Sequence, residues 1–486
     1  MNTIKIDPTR AIGELDRNVF GGFAEHLGRC IYGGIYEENS PLADENGFRR
    51  DVMEALKRLR MPIIRYPGGN FVSGYRWMDG IGPKDERPAR AELAWGTVES
   101  NRFGTDEFVT WCRQLGAEPY LAVNCGDGSM REARDWVEYC NGTGDTALVQ
   151  IRRRNGYEAP HNVKYWGIGN EVDGPWQMGM KTPQEYARAY TEFGKLMKMV
   201  DPNIRLIASW TSGWFDDWVE RGQLLLEQAA DLVDYMAIHW YVGNRTDDFS
   251  RYMALSELFE ERLIATEGLI AAMRNCRKIT KPIPLAVDEW NVWYRTGGAE
   301  GLEEVYNLED ALVVALQLNA FIRHAYSVKM ANLAQIVNVI APILTRPEGL
   351  VLQSIFYPFE IYSQNAGATA LDVMWEGDTF QAGDDQPALR VLDVAATVDA
   401  AGRQVAVFVV NRSLDEAAET RLVLQEGEFG GVGVAHVVNG PDPKAANSFD
   451  SPDQVVTRST ALTTSGRELT YTFEPHSVTA LVFSLT

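Results

Sequence analysis

Eight short apolar runs, each leading into a stretch of helical periodicity, constrain this chain more than any other feature. They are VFGGFAEH (19–26), PIIRYPGG (62–69), EPYLAVNC (118–125), VKYWGIGN (163–170), IRLIASW (204–210), VDYMAIHW (233–240), IPLAVDEW (283–290) and AQIVNVIAP (334–342). Most are continuously apolar rather than alternating, the pattern of parallel strands covered on both faces. Amphipathic segments such as GFRRDVMEALKRLR and TPQEYARAYTEFGKLMKMV lie between them. In the second, Thr182 suits an N-cap, Pro183 the first helical position and Glu185 a capping box. Tyr186, Ala189, Tyr190, Phe193, Met197 and Val200 then recur at helical spacing and predict a core-facing stripe. Eight β-then-α units in succession predict an α/β fold, a (β/α)8 TIM barrel over residues 15–365.

Beyond about residue 366 the texture changes. Runs such as ALRVLDVAATV, QVAVFVVNRS, TRLVLQEG and ELTYTFEPHSVTALVFSL alternate or are β-branched, with turn signals DAAG, EGEFGG and NGPDP between them. This predicts an antiparallel, jelly-roll-like β-sandwich over 366–486. The first strand, NTIKI, has no place in the barrel, so residues 1–14 are expected to complete the sandwich. The stretch PKAANSFDSPDQ reads as a surface loop. A chain of 486 residues is long enough for two such units.

The formal net charge of −21 argues against nucleic acid or an anionic membrane as partner, because phosphates would be repelled. There is no secretory leader pattern and no apolar run long enough to span a membrane, which predicts a cytoplasmic protein. Five scattered cysteines without CxxC spacing read as reduced, buried thiols.

Barrels of this kind gather their chemistry at the C-terminal ends of the strands. There the sequence offers Glu25-His26, Arg65, Asn70, Asn124, Asn170-Glu171, His239-Trp240-Tyr241, Asp288-Glu289 and Asn338. Glu171 and Glu289 stand out, each closing an apolar run, on strands four and seven. Those strands face one another across the mouth. Two carboxyl groups across a sugar-sized gap are what glycoside hydrolysis needs, one to protonate the leaving oxygen and one to attack or to activate water. Asp288, adjacent to Glu289, is expected to point the other way. A Mg²⁺ or Mn²⁺ site using these glutamates with His26 or His239 is the alternative, but no HxH, HExxH or DxD spacing accompanies it. No metal or organic cofactor is implied.

The motifs FGGFAEHLGRCIYGGIY, IIRYPGGNFVSGYRWMDGIGP, ELAWGTVESNRFGTDEF, YWGIGNEVDGPWQMG, AIHWYVGN, VDEWNVWY and NVIAPI occur in this order over nearly the whole chain. With them the sequence resembles the α-L-arabinofuranosidases of glycoside hydrolase family 51. The resemblance implies a barrel with a C-terminal sandwich and a retaining, exo-acting enzyme on arabinoxylan- or arabinan-derived oligosaccharides. It implies Glu171 as acid/base and Glu289 as nucleophile, with Arg65 and Tyr241 holding Glu289 ionised. It implies sugar contacts from Asn170, Glu25, Asn70 and Gln353, a linking role for His239, and subsite walls at Trp95 and Trp176. Cys125 is given no role. A homo-oligomer, commonly a hexamer in the family, is also implied. β-Xylosidase or endo-glucanase activity on the same scaffold, and a catalytically silent sugar-binding protein, are the other readings. Linkage preference is expected to depend on loops such as RTGGAEGLEEVY.

Overall fold

The computed structural model describes residues 2–295, 302–383 and 387–486. Eight parallel strands close into a barrel. They are β1 (Gly21–Phe23), β2 (Ile63–Tyr66), β3 (Glu118–Val123), β4 (Tyr165–Ile168), β5 (Arg205–Thr211), β6 (Tyr235–Val242), β7 (Leu285–Val292) and β8 (Val328–Ala334). Seven coincide with the apolar runs. The eighth does not: β8 is VKMANLA, and most of AQIVNVIAP is the loop that follows it. Lys329 and Asn332 interrupt the apolar pattern of the true strand. The amide of buried Asn332 donates there to the Gly22 carbonyl (2.9 Å), across the β8–β1 seam.

The floor of the barrel is a layer of inward side chains, Ile63, Tyr120, Tyr165, Ile207, Ala237, Ala286 and Met330, contributed by β2 through β8. Functional side chains stand above this layer, toward the strand ends. Helices cover the outside. Helix Pro183–Val200 begins as its sequence predicts, with Thr182 and Glu185 forming a capping box and Tyr186, Tyr190, Phe193 and Met197 buried.

The C-terminal region forms two sheets packed on one apolar core that includes Ile4, Ile6, Val407, Leu422, Leu481 and Phe483. Strand Asn2–Ile6 lies between Met374–Glu376 and Ala418–Leu424, so the N-terminus does pair with this region. Its pairing with Ala418–Leu424 is parallel, so the region is not wholly antiparallel. Strand Ala11–Glu14 edges the second sheet beside Thr369–Leu371.

The stretch PKAANSFDSPDQ is more than a surface loop. Ala445 and Pro443 carbonyls accept from the backbone N–H groups of Leu308 and Glu309, at the start of helix Leu308–Arg323. Lys444 adds an ion pair to buried Glu309 (2.6 Å). Helix N-termini leave such donors without intrahelical partners, and this segment supplies them. Cys30, Cys112, Cys125 and Cys140 are buried thiols, whereas Cys276 is exposed. No helix among the described residues is long and apolar enough to cross a membrane.

Candidate active site

Above the barrel floor, a cavity of about 510 Å³ opens at the strand C-termini. Glu25, Asn70, Trp95, Glu171, Trp176, Tyr241 and Glu289 all line it. Arg65, Asn170 and His239 are buried and bond to Glu171, to Glu289 or to one another. Ten of the eleven expected residues thus line the cavity or are bonded to those that do, Asn170 through Arg65.

Glu171 follows β4 with a left-handed backbone (φ 44°), a conformation costly for a residue with a side chain. The turn is locked by Gly174 N–H to the Glu171 carbonyl (2.8 Å) and by Asp173, whose carboxylate accepts from Ser212 N (2.8 Å) and Ser212 Oγ (2.7 Å). Glu171 is held at both oxygens. His239 Nδ1 lies 2.9 Å from Oε1, and Trp176 Nε1 donates to Oε2 (2.6 Å). The Trp176 ring itself is half exposed and lies against Phe215. Burial pushes the Glu171 carboxyl up from its ordinary value; the His239 bond opposes this and the Glu289 charge adds to it.

Glu289 is held differently. Arg65 donates to Oε2 (2.8 Å) and Tyr241 to Oε1 (2.7 Å). Arg65 is 1 % exposed, lies over the Phe23 ring and also donates to Asn170 Oδ1. The guanidinium fork therefore orients a carboxylate from β7 and an amide from the end of β4 together. With Oδ1 so engaged, the buried Asn170 Nδ2 has no acceptor among the described residues.

Asp288 does not point away. Its carboxylate accepts from Tyr120 OH (2.8 Å) and lies 3.3 Å from His239 Nε2, on the same side as Glu289. The pairing registers of β7 shift between Val287 and Trp290 on one side and opposite Ala237–His239 on the other. Such an irregularity breaks the period-two alternation and lets consecutive residues face the interior. Arg65 and His239 hold the Asp288 carboxyl below its ordinary value against the opposing effect of burial.

His239 sits among three carboxylates. Burial disfavours its charge, but Glu289, Asp288 and Glu171 outweigh it and push the imidazole up to about 10. One oxygen of each of Glu171 and Glu289 and a ring nitrogen of His239 lie within 4.8 Å of one another, a spacing compatible with a cation. An imidazolium has no lone pair to offer a metal, and Arg65 already neutralises Glu289. The donor set therefore suits protons better than a metal ion. His26 lies outside this cluster and pairs with Glu99 (2.8 Å).

At another edge of the cavity, Glu25 accepts from Trp95 Nε1 (3.1 Å), Phe71 N (3.1 Å) and Gln335 Nε2 (3.0 Å). Burial, with the Glu289 charge adding, raises its carboxyl to about 8. A Cβ at Gly69 would stand 2.5 Å from Glu25 Oε2, so only glycine leaves room there. Asn70 begins a short 3₁₀ turn without capping it, leaving its amide at the cavity surface.

Gln353 is not part of the cavity. It is fully buried, its Oε1 accepts from Tyr306 N (2.9 Å), and its Nε2 donates to the carbonyls of Glu304 (2.9 Å) and Ala341 (2.8 Å). Nothing is left for a sugar. The glutamine on the cavity is Gln335, the residue directly after β8. Ser212, Arg245, Trp293 and Leu302 also line the cavity; Trp293 belongs to the motif VDEWNVWY and Leu302 to the loop RTGGAEGLEEVY, without a role of its own drawn from either. Of the loop RTGGAEGLEEVY, residues 296–301 lie outside the described residues.

With this geometry in hand, comparison with known proteins is specific. Residues 55–256 match the α-L-arabinofuranosidase 1 domain, and residues 288–477 match the α-L-arabinofuranosidase C-terminal domain. The chain is 42% identical to an intracellular exo-α-(1→5)-L-arabinofuranosidase of Halalkalibacterium halodurans, over 85% of each chain. It is similar to the crystal structure of an α-L-arabinofuranosidase from Thermotoga maritima in complex with arabinose (40% identity, TM-score 0.93, covering 100% of both chains). It is equally similar to a thermostable GH51 α-L-arabinofuranosidase from Thermotoga petrophila (40% identity, TM-score 0.92, covering 99% of this chain and 100% of that one). Near-complete coverage at such identity, on a barrel whose rim carries these carboxylates, establishes that the chain belongs to the α-L-arabinofuranosidases of glycoside hydrolase family 51.

Proposed function

We propose that the enzyme is exo-acting and retaining, releasing terminal arabinofuranose from arabinan- or arabinoxylan-derived oligosaccharides by double displacement. The observation that carries the retaining part is the approach of a Glu171 oxygen to a Glu289 oxygen within 4.8 Å. Retaining glycosidases hold their carboxyl groups about 5–5.5 Å apart, inverting ones about 6.5–9.5 Å, to admit a water between them. The exo-acting part is supported by the activity of the Halalkalibacterium relative and by a cavity of small-ligand size.

Glu171, whose neutral form is favoured by burial, donates a proton to the glycosidic oxygen as that bond breaks. Glu289, oriented by Arg65 and Tyr241, attacks the anomeric carbon and forms an arabinosyl ester. Glu171, now ionised, takes a proton from water, which attacks the ester and frees Glu289. His239, as imidazolium, balances whichever carboxylate carries charge in each step. Asn170 Nδ2 donates to a sugar hydroxyl, a contact that strengthens as charge develops in the transition state. Glu25, Asn70 and Gln335 bind further hydroxyls, and Trp95 and Trp176 form walls.

Proton NMR of the first product from a (1→5)-linked arabino-oligosaccharide tests the mechanism. An initially retained α-anomer is expected; an inverted first product overturns double displacement. Turnover of (1→5)-arabinan and arabinosylated xylan oligosaccharides, compared by product analysis, tests the substrate class.

A further inference from the structure

Gln353 is 0 % exposed, reaches no substrate cavity and yet spends every hydrogen bond of its amide on backbone from two rim loops. One is the loop after β7, which brings Trp293 and Leu302 to the cavity. The other is the loop after β8, which brings Val339 and Ile340. The contacted residues Glu304, Tyr306 and Ala341 are close neighbours in sequence of those wall residues.

Glu304 extends the same connection. Its buried carboxylate accepts from Arg295 N (3.0 Å) and Tyr294 N (3.3 Å), the two residues directly after Trp293. Arg295 is anchored in turn to Asp310 (2.9 Å). The wall formed by these loops is itself under strain. Ile340, a β-branched residue, has φ 37°, a region such residues avoid. It is held there by Ile340 N–H to the Leu302 carbonyl (2.7 Å) and by Asn291 Nδ2 and Gln335 N donating to its own carbonyl. Strained backbone persists only where its surroundings over-determine it.

We propose that Gln353 and Glu304 form a positioning clasp that sets the apolar wall of the substrate cavity and thereby substrate binding, without taking part in the chemistry. The carboxylate pair is held by a separate set of residues, Arg65, Tyr241, His239 and Trp176. Trp293 of the wall touches the Tyr241 ring (centroids 5.5 Å apart), but none of these four bonds runs through Gln353 or Glu304, so loosening the clasp moves the wall more than the reacting groups. This inference rests on the glycosidase reading of the cavity.

The test is steady-state kinetics of Gln353→Met on 4-nitrophenyl α-L-arabinofuranoside and on (1→5)-arabinobiose. The concentration of folded protein is set by a melting curve. A rise in KM of about tenfold with kcat within about twofold is expected, the pattern of lost uniform binding. Unchanged KM in folded Gln353→Met overturns the clasp, as does a fall in kcat alone. Should Gln353→Met not fold, Glu304→Gln serves, keeping an acceptor for the two backbone N–H groups but losing the ion pair of Glu304 with the Arg295 guanidinium (3.4 Å). Its expected result is a smaller KM rise, and unchanged KM again overturns the clasp. Leu302→Ala adds a check that a merely structural role would not pass. If the clasp acts through the wall, Leu302→Ala and the clasp substitution are not additive in KM; additive effects overturn the proposal. Failure of the wild type to turn over either substrate would instead refute the glycosidase reading itself.

Discussion

Substitution of Glu171 by alanine separates its two proposed duties. The change removes the carboxylate bonded to both His239 and Trp176 and leaves Glu289 with its Arg65 and Tyr241 contacts intact. The nucleophile therefore remains armed. With a sugar as leaving group, departure needs the lost proton, and general acid catalysis contributes about 10²–10⁴-fold. At about 1.36 kcal/mol per decade this is a rise of about 2.7–5.5 kcal/mol in the barrel-bound transition state. With 4-nitrophenolate, an already stable anion, bond cleavage needs little help, so loss of the base that activates water becomes dominant. The arabinosyl ester then accumulates, and stopped-flow absorbance shows a burst of about one nitrophenolate per active site. Azide, an anion that needs no deprotonation, fits where the carboxylate stood and restores turnover, giving arabinosyl azide of the substrate's own anomeric configuration. Equal losses on the two substrates, or an azide product of inverted configuration, would refute the assignment of Glu171.

Replacing Glu25 by glutamine tests the electrostatics of the cavity. Its folded value of about 8 stands above the ordinary 4.5, so the stability it contributes is full below about pH 4.5 and is lost as pH rises through 8. The melting temperature of Glu25→Gln relative to wild type should become more favourable between pH 6 and pH 9.5, while KM rises; a pH-independent difference would contradict a buried, raised carboxyl. Arg65→Lys keeps the charge but not the fork, so Asn170 and Glu289 can no longer be held together; a fall of about 10²-fold or more in kcat/KM is expected, with a lowered melting temperature. Exhaustive chelation should leave activity intact, as an imidazolium at His239 implies, and activity restored only by a divalent ion would contradict it. Light scattering after gel filtration should give a multiple of the 54.3 kDa chain mass, and a monomer would end the expectation of an oligomer.

Much of this site was legible because barrels convert one-dimensional order into position. An acid at the end of an apolar run must lie on the rim, and Glu171 and Glu289 did. Trp176 and Trp95 were expected as walls, and the structure gives both a further polar task, each donating its indole N–H to a cavity glutamate. Asp288 was misread because the alternation rule assumes a regular strand. The register shifts in β7 depend on its neighbours β6 and β8 and leave no mark in the sequence VDEWN itself.

The misplaced eighth strand also hid a cavity residue. AQIVNVIAP is more apolar than VKMANLA, so the hydrophobic signal favoured the loop over the strand. The loop is apolar because it is buried against β7, where Asn291 donates to the carbonyls of Ala334 and Ile340. The strand tolerates Asn332 because the β8–β1 seam supplies an acceptor. Placing the strand end at Pro342 hid Gln335, which the rim rule would otherwise have selected as the residue directly after Ala334. Gln353 entered instead through the family resemblance. Apolar context alone cannot separate a glutamine that serves a ligand from one that serves the backbone. That distinction lies in where the neighbouring chain leaves its N–H and C=O groups. At Gln353 three such groups from two distant loops converge, which is why it stands behind the cavity while Gln335 lines it.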